Sequence, residues 1–154
     1  MRPGEHLRYL VLAAQREGNR MFAAALKPLK LTPAWAEAIS VLDQREPLTI
    51  RELGLLLVCE GEHPSRLVNR MVEAGLLTTE PSPDDDRARW IRLTPHARGL
   101  LPGLREIEDQ LHTAIEATVD PASLDACRTV LEGFVDGLPA GEALTRRASA
   151  PIRR

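Results

Sequence analysis

A set of polar side chains suited to reading DNA recurs at helical spacing in the middle of the chain. On a helical wheel at about 100° per residue, one half carries Glu62, His63, Ser65, Arg66, Asn69, Arg70 and Glu73. The other half carries only Pro64, Leu67, Val68, Met71, Val72 and Ala74. Guanidinium, carboxamide and hydroxyl groups are the donors and acceptors that contact base edges and phosphates in a major groove. We therefore predict that His63, Ser65, Arg66, Asn69 and Arg70, here called the recognition cluster, contact DNA.

A second short helix must position this one. The pattern predicts a helix over residues 50–57, a turn over residues 59–62 and a second helix that ends at Gly75. Glycine suits the left-handed residue after a helix, and Pro64 is tolerated in a first turn. Two short helices joined by a tight turn form a helix-turn-helix. An ordinary helical hairpin with a solvated outer face fits the same wheel.

The residues after the second helix predict a β-hairpin. Residues 78–81 and 89–93 can pair as two strands, with residues 82–88 as the tip. A helix-turn-helix followed directly by a hairpin is a winged helix. The tip of such a wing contacts the DNA backbone or the minor groove.

The order of these segments resembles the MarR family of winged helix-turn-helix transcriptional regulators. The matching segments are LTIREL, SRLVNRM, GLL, SPDDDRA and a final LT, within residues 31–101. The resemblance implies a mainly α fold with a small β-hairpin wing. It also implies one domain over residues 1–154, in which the winged helix-turn-helix (31–94) lies between dimerisation helices (1–30 and 95–137).

The resemblance assigns further roles. It places the recognition cluster in the major groove of double-stranded DNA and Arg87, with Arg89, at the wing contact. Asp85 is the residue that would hold Arg87 in place. Regulators of this family often respond to a small amphipathic effector, commonly anionic or phenolic, between the dimer and DNA-binding parts. We expect Trp35 to line that cleft.

Three departures from the family pattern favour an alternative. Thr79 stands where a basic residue is usual, the wing tip has lost one arginine, and residues 60–64 replace a Ser/Thr-rich start. Residues 62–92 contain six acids and five arginines, so the basic footprint of a DNA binder is not visible in the sequence. The alternative is a winged-helix protein-interaction module with weak or no DNA binding.

The two ends of the chain predict a homodimer. Apolar stripes follow residues 3–26 and 121–135, and a long helix is expected from Pro95 to about residue 118. The resemblance implies that the terminal helices intertwine about a two-fold axis, which suits a palindromic operator. A compact monomer whose ends fold back is the alternative. We expect residues 139–154 to be largely a tail, part of which could extend the packing.

Composition and motifs exclude several other classes of protein. A net charge of −2 and a pI of about 6.1 give no support to a nonspecific coat for nucleic acid or membrane. We find no signal peptide and no run of about 18 apolar residues, so we predict no membrane association. With only two cysteines and no disulfide framework, a reducing cytoplasm is the expected location.

No catalytic, metal or cofactor site is predicted. The four histidines lack ligand spacing, and a zinc site would need folding to join His6 and His112. There is no Gly-rich phosphate loop and no nucleophile elbow, so we predict no enzyme. Cys59 and Cys127 are expected to be buried and unreactive.

Overall fold

The computed structural model of the chain describes residues 1–58, 63–83 and 88–149. Its helices are α1 (Pro3–Leu26), α2 (Pro33–Arg45), α3 (Ile50–Gly54), α4 (Pro64–Glu73), α5 (Pro95–Glu116), α6 (Pro121–Val135) and α7 (Pro139–Ser149), with a 3-10 turn at Lys27–Leu29. Its strands are β1 (Leu48–Thr49), β2 (Leu77–Pro81) and β3 (Arg89–Leu93). The predicted mainly α fold with a small wing is therefore confirmed. No helix in these ranges is both long and apolar enough to cross a bilayer.

Three helices begin with a threonine or aspartate cap followed by proline. Thr32 Oγ1 and Thr94 Oγ1 accept backbone N–H groups from the first turns of α2 and α5, at 3.2 and 3.1 Å. Asp120 caps α6 in the same way. The hydrogen bonds that Ser123 donates hold the pKa of Asp120 below its usual range. These caps satisfy N–H groups that lack partners within the helix, which explains why the starts were readable from sequence.

The first helix of the helix-turn-helix is shorter than predicted. The sequence suggested residues 50–57, whereas α3 ends at Gly54 and continues as a turn in which the Leu56 N–H bonds to the Leu53 carbonyl at 2.9 Å. Gly54 also packs closely against the start of α4. A Cβ placed on Gly54 would lie 2.8 Å from Pro64 Cγ, so the absence of a side chain lets α3 approach the start of α4.

The wing is part of a three-stranded antiparallel sheet with the order β1-β3-β2. The predicted hairpin is present, although β2 begins at Leu77, one residue before the predicted start, and Leu77 pairs with Leu93. β1 adds the pair Leu48 and Ile91. β1 was not predicted because two residues show no alternation that could reveal a strand. Its pairing ties the chain ahead of α3 to the base of the wing.

An aliphatic core holds the winged helix together. Its fully buried large side chains are Leu26, Ile39, Leu42, Leu53, Val68, Met71, Leu77, Ile91 and Leu104. α4 contributes Leu67, Val68 and Met71 to this core, as the wheel predicted. The wheel is wrong for Val72 and Ala74, which are exposed because they lie at the edges of the apolar half.

Gly75 ends α4 in the left-handed conformation that its position predicted. Its φ is +72°, and the Leu76 N–H bonds back to the Met71 carbonyl at 2.9 Å. Gly75→Ala should therefore lower the free energy of unfolding by about 1 kcal/mol. Gly99→Ala, at an exposed position within α5 with open space for a Cβ, should raise it by about 0.5–1 kcal/mol. Urea denaturation of both variants checks this, and changes of the same sign would contradict it.

The terminal helices leave apolar side chains in solvent on the single chain. Leu10 and Phe134 are both 53% exposed, and a groove of about 690 Å³ runs between α1 and α6. The groove is lined by Leu7, Leu10, Val11, Val130, Leu131 and Cys127, among others. Cys127 was predicted to be buried and is exposed here, because the apolar side of α6 faces this groove rather than the core.

The predicted tail is wrong for most of its length. Residues Pro139–Ser149 form α7, and residues 150–154 lie outside the described part of the chain. The Leu138 carbonyl accepts the Glu142 N–H at 2.9 Å, and Glu142 pairs with Arg146 at 2.8 Å across one turn. Ala143 is buried with only 3% exposure. A segment that looked like a linker by composition is therefore a packed helix.

Candidate nucleic-acid interface

α4 presents the recognition cluster outward. His63, Arg66, Asn69 and Arg70 are exposed and Ser65 is half-buried, while the opposite face of α4 is anchored in the core. Because one face is fixed by buried leucine, valine and methionine, the polar face has a defined direction. Such a helix can lie in a major groove with its side chains toward the base edges.

His63 has a structural role at the start of α4. Its carbonyl accepts the Arg66 N–H at 2.9 Å, and its Nδ1 accepts the Ser65 N–H at 3.4 Å. Pro64 follows as the first helical residue. His63 is thus the N-cap, with its ring at the positive end of the helix dipole. The predicted turn over residues 59–62, including Cys59, lies outside the described residues.

Three residues that are predicted to contact DNA line one groove of about 700 Å³. It lies between α3, the start of α4 and the base of the wing, and His63, Ser65 and Arg89 all border it. Arg51 borders it too, from the exposed side of α3. Within the described residues, the side chain of Arg51 makes no hydrogen bond or ion pair, so its guanidinium is available to an external anion. Sequence reasoning missed Arg51, although a cation on the first helix of a helix-turn-helix is a signal for a backbone contact.

Arg70 lies against Trp35. The guanidinium carbon of Arg70 is 5.9 Å from the centroid of the Trp35 ring, within the range of a cation–π contact. Trp35 is half-buried and packs against the core. The ring therefore supports the last turn of α4 from α2. A role for Trp35 in a ligand cleft stays a prediction.

The described part of the wing has its arginines bonded to β2. Arg89 donates from Nε and Nη2 to Thr79 Oγ1 at 3.2 and 3.1 Å, and from Nη2 to the Thr79 carbonyl at 3.1 Å. Arg92 Nε pairs with Glu80 Oε1 at 2.5 Å. Thr79, which departs from the family pattern, therefore holds a basic side chain in place. Asp85 and Arg87 of the predicted wing tip lie outside the described residues.

The chemistry of this surface is that of binding. Across residues 1–58, 63–83 and 88–149, no three His, Cys, Asp or Glu side chains are grouped as metal ligands. Exposed guanidinium, imidazole, carboxamide and hydroxyl groups instead lie on α4 and around the groove beside it. This set can donate hydrogen bonds to phosphates and base edges.

Comparison with known proteins agrees with this geometry. Residues 31–97 match the winged helix DNA-binding domain family. The chain is 29% identical over 94 residues to the organic hydroperoxide resistance transcriptional regulator of Bacillus subtilis (strain 168), covering 61% of this chain. The match spans 64% of that regulator, which is less than two thirds of its length.

Solved structures share the fold. One is BpsR of Bordetella bronchiseptica, whose DNA binding is regulated by 6-hydroxynicotinic acid. Its TM-score to this chain is 0.77 at 19% sequence identity, and the match covers 89% of this chain and 98% of BpsR. Another is a cysteine-to-serine mutant of MarR from E. coli complexed with operator DNA, with a TM-score of 0.75, 19% identity and coverage of 84% and 93%. These relatives are regulators and not enzymes. Residues 31–97 are therefore similar to winged helix DNA-binding domains, and the chain as a whole has the fold of the MarR structure.

Proposed function

We propose that this protein is a transcriptional regulator that binds a palindromic DNA operator as a homodimer. The observation that carries the proposal is the exposed recognition cluster on α4, whose apolar face is anchored by Leu67, Val68 and Met71. A buried anchor fixes the direction of the outward side chains. In this proposal Arg66, Asn69 and Arg70 contact base edges. The DNA backbone is contacted by Arg51, Arg89 and Arg87, the last of which lies outside the described residues.

The homodimer is held by the terminal helices. In this proposal residues 1–30 and 95–137 pair with those of a second copy within one domain per chain, and the winged helix-turn-helix (31–94) projects from them. The exposed apolar residues of α1 and α6, such as Leu10 and Phe134, support it because a monomer leaves them in water. Two-fold symmetry places two copies of α4 at half-sites about one helical turn apart.

A small-molecule effector completes the proposal. BpsR, a structural neighbour, has its DNA binding regulated by 6-hydroxynicotinic acid, a small aromatic anion. We propose a repressor that releases DNA when an amphipathic ligand of this general class binds near Trp35. Trp35 contacts Arg70 of α4, so a ligand that displaced the ring would alter the recognition helix directly. We propose that this protein acts in the cytoplasm, as expected for a chain with two cysteines and no disulfide framework.

The protein-interaction module remains the second candidate because of the wing. Arg89 is bonded to Thr79 and Arg92 is paired with Glu80, so neither guanidinium is fully available to a phosphate. A wing whose cations are engaged in this way binds DNA more weakly than one whose cations are free. Measuring specific DNA binding by the parent protein distinguishes the two candidates.

A gel shift against the promoter region adjoining the gene for this chain tests the proposal. At about 0.15 M salt we expect binding at least about a thousand-fold tighter than to unrelated DNA of equal length, the lower end for specific recognition. Equal affinity for both fragments, or no shift, would favour the protein-interaction module. The salt concentration must be held fixed because backbone contacts release counterions.

Arg89→Ala tests the wing contact separately. We expect weaker operator binding with an unchanged order of preference among operator variants, because a backbone contact positions the protein without specifying sequence. The slope of log affinity against log salt should fall by about one, as for the loss of a single phosphate contact. Thr79→Val is the matched control. It removes the hydroxyl on β2 that accepts from Arg89 but keeps the Arg89 guanidinium. A slope that stays at the parent value in Arg89→Ala would show that this residue does not contact DNA.

A further inference from the structure

The C-terminal helix is attached to the DNA-binding part by arginine contacts. Arg45, in the last turn of α2, donates to the carbonyl of Arg146 at 3.2 Å and to the carbonyl of Arg147. These carbonyls belong to the last turn of α7, where a helix has no internal donors left. A cation at this end also complements the helix dipole. Arg45 therefore caps α7 and fixes its end against α2.

A second contact continues from α7 into the interior. Arg147 Nη1 lies 2.7 Å from Glu37 Oε1, and only 10% of the Glu37 side chain is exposed. The same oxygen accepts the backbone N–H of Val58 at 2.8 Å. One carboxylate oxygen on α2 thus joins α7 to the chain that follows α3. A hydrogen bond to a charged, enclosed acceptor is worth more than one between neutral groups.

The Val58 N–H depends on a side chain for its hydrogen bond. α3 has already ended at Gly54, and the last backbone bond of its turn runs from Leu57 to Leu53 at 3.2 Å. The Val58 N–H therefore takes its acceptor from the Glu37 side chain rather than from the helix. Val58 begins the connection that leads to α4 at Pro64. α4 begins six residues later, so a shift of Val58 moves the point from which the chain must reach the recognition helix.

We propose that Glu37 and Arg147 are positioning residues for DNA binding, through which α7 fixes the entry to the recognition helix. Arg147 holds the Glu37 carboxylate from the α7 side, and the carboxylate holds Val58. Without Arg147 the carboxylate loses a cation that keeps it in place, so the bond to the Val58 N–H weakens and breaks more often. The effect on DNA rests on the function proposed above, whereas the effect on Val58 does not.

Amide hydrogen exchange of the full chain without DNA tests the contact itself. The Val58 amide should exchange about tenfold faster in Glu37→Ala and several-fold faster in Arg147→Gln, with core amides such as that of Ile39 unchanged. Arg146→Gln is the matched control, because among the described residues the guanidinium of Arg146 pairs with Glu142 on the surface of α7 and not with Glu37. An exchange rate at Val58 that is equal in the parent, Arg147→Gln and Arg146→Gln would overturn the proposal.

Operator binding then separates positioning from a purely structural role. Arg147→Gln should weaken binding by about three- to tenfold with an unchanged salt slope, and Arg147→Lys should restore part of the loss by returning the charge. Equal affinity of Arg147→Gln and parent would overturn the proposal, as would a reduced salt slope, which would make Arg147 a direct DNA contact. A parent that bound no operator would contradict the proposed function instead, and the exchange rates would still test the link from α7 to Val58.

Discussion

We expect Val130→Glu to abolish the proposed dimer and, with it, tight binding to a palindromic duplex. Val130 is 48% exposed on the single chain and lines the apolar groove between α1 and α6. Covering that groove with a second copy would bury the new carboxylate among leucines, which costs several kcal/mol without a partner cation. We expect monomeric or aggregated material and a loss of affinity of at least about a hundredfold, because one protomer engages only one half-site.

Sedimentation at micromolar concentration, followed by titration with the palindrome, checks this result. Thr129→Glu is the matched control. It adds the same charge one residue away, on the side of α6 that does not line the groove. The control should stay dimeric and bind as the parent does. A parent that sediments as a stable monomer, or a dimeric Val130→Glu variant, would contradict the proposed assembly.

Arg66→Ala and Arg70→Ala should each weaken operator binding by roughly 1–3 kcal/mol. Both side chains are exposed on α4, whose anchoring residues are unaffected, so both variants should fold. The unfolding midpoint should not change in Arg66→Ala, whereas Arg70→Ala also loses the contact with Trp35. A bidentate guanidinium contact also discriminates between bases, so sequence preference should relax at the contacted position. Arg128→Ala controls for loss of charge, because this arginine pairs with Asp125 and Glu132 on the surface of α6.

Fluorescence anisotropy of a labelled operator measures these affinities, and competition with single-base variants measures the preference. If both α4 variants bind as tightly as Arg128→Ala, the recognition helix is assigned wrongly and the protein-interaction module gains support. If only Arg66→Ala loses affinity, Arg70 acts mainly through its contact with Trp35. Trp35→Leu then separates that contact from DNA binding.

Features with a local cause were predictable from the sequence. The starts of α2, α5 and α6 follow from a capping residue and the proline after it, and Gly75 follows from the left-handed end of α4. The polar face of α4 follows from periodicity alone, because Leu67, Val68 and Met71 repeat at the spacing of one helical face. In each case the residues that decide the structure lie within about one helical turn of each other.

Features that depend on distant partners were not predictable. The strand β1 exists through its pairing with β3, and α3 ends early where Gly54 meets Pro64. α7 was read as a tail because its composition resembles a linker. Its packing relies on Arg45 and Glu37, about a hundred residues earlier in the chain.

The residues of the candidate site also fall into a group that local sequence reveals and a group that it does not. The recognition cluster was found from one helix, whereas Arg51 enters the interface only because α3, α4 and the wing enclose one groove. The bonds from Arg89 to Thr79 depend on the register of β2 and β3, in which Thr79 lies opposite Ile91. No pattern within a single segment reveals such an arrangement.

Selection of binding sites from random duplex DNA is the most direct test of the central claim, that a homodimer reads a palindrome through α4. The parent protein should enrich a two-fold symmetric sequence whose half-site centres lie about 10–10.5 base pairs apart. Selection with Arg66→Ala should give the same spacing with one less defined position in each half-site. A selected pool with no common sequence, or with single unpaired half-sites, would contradict the claim.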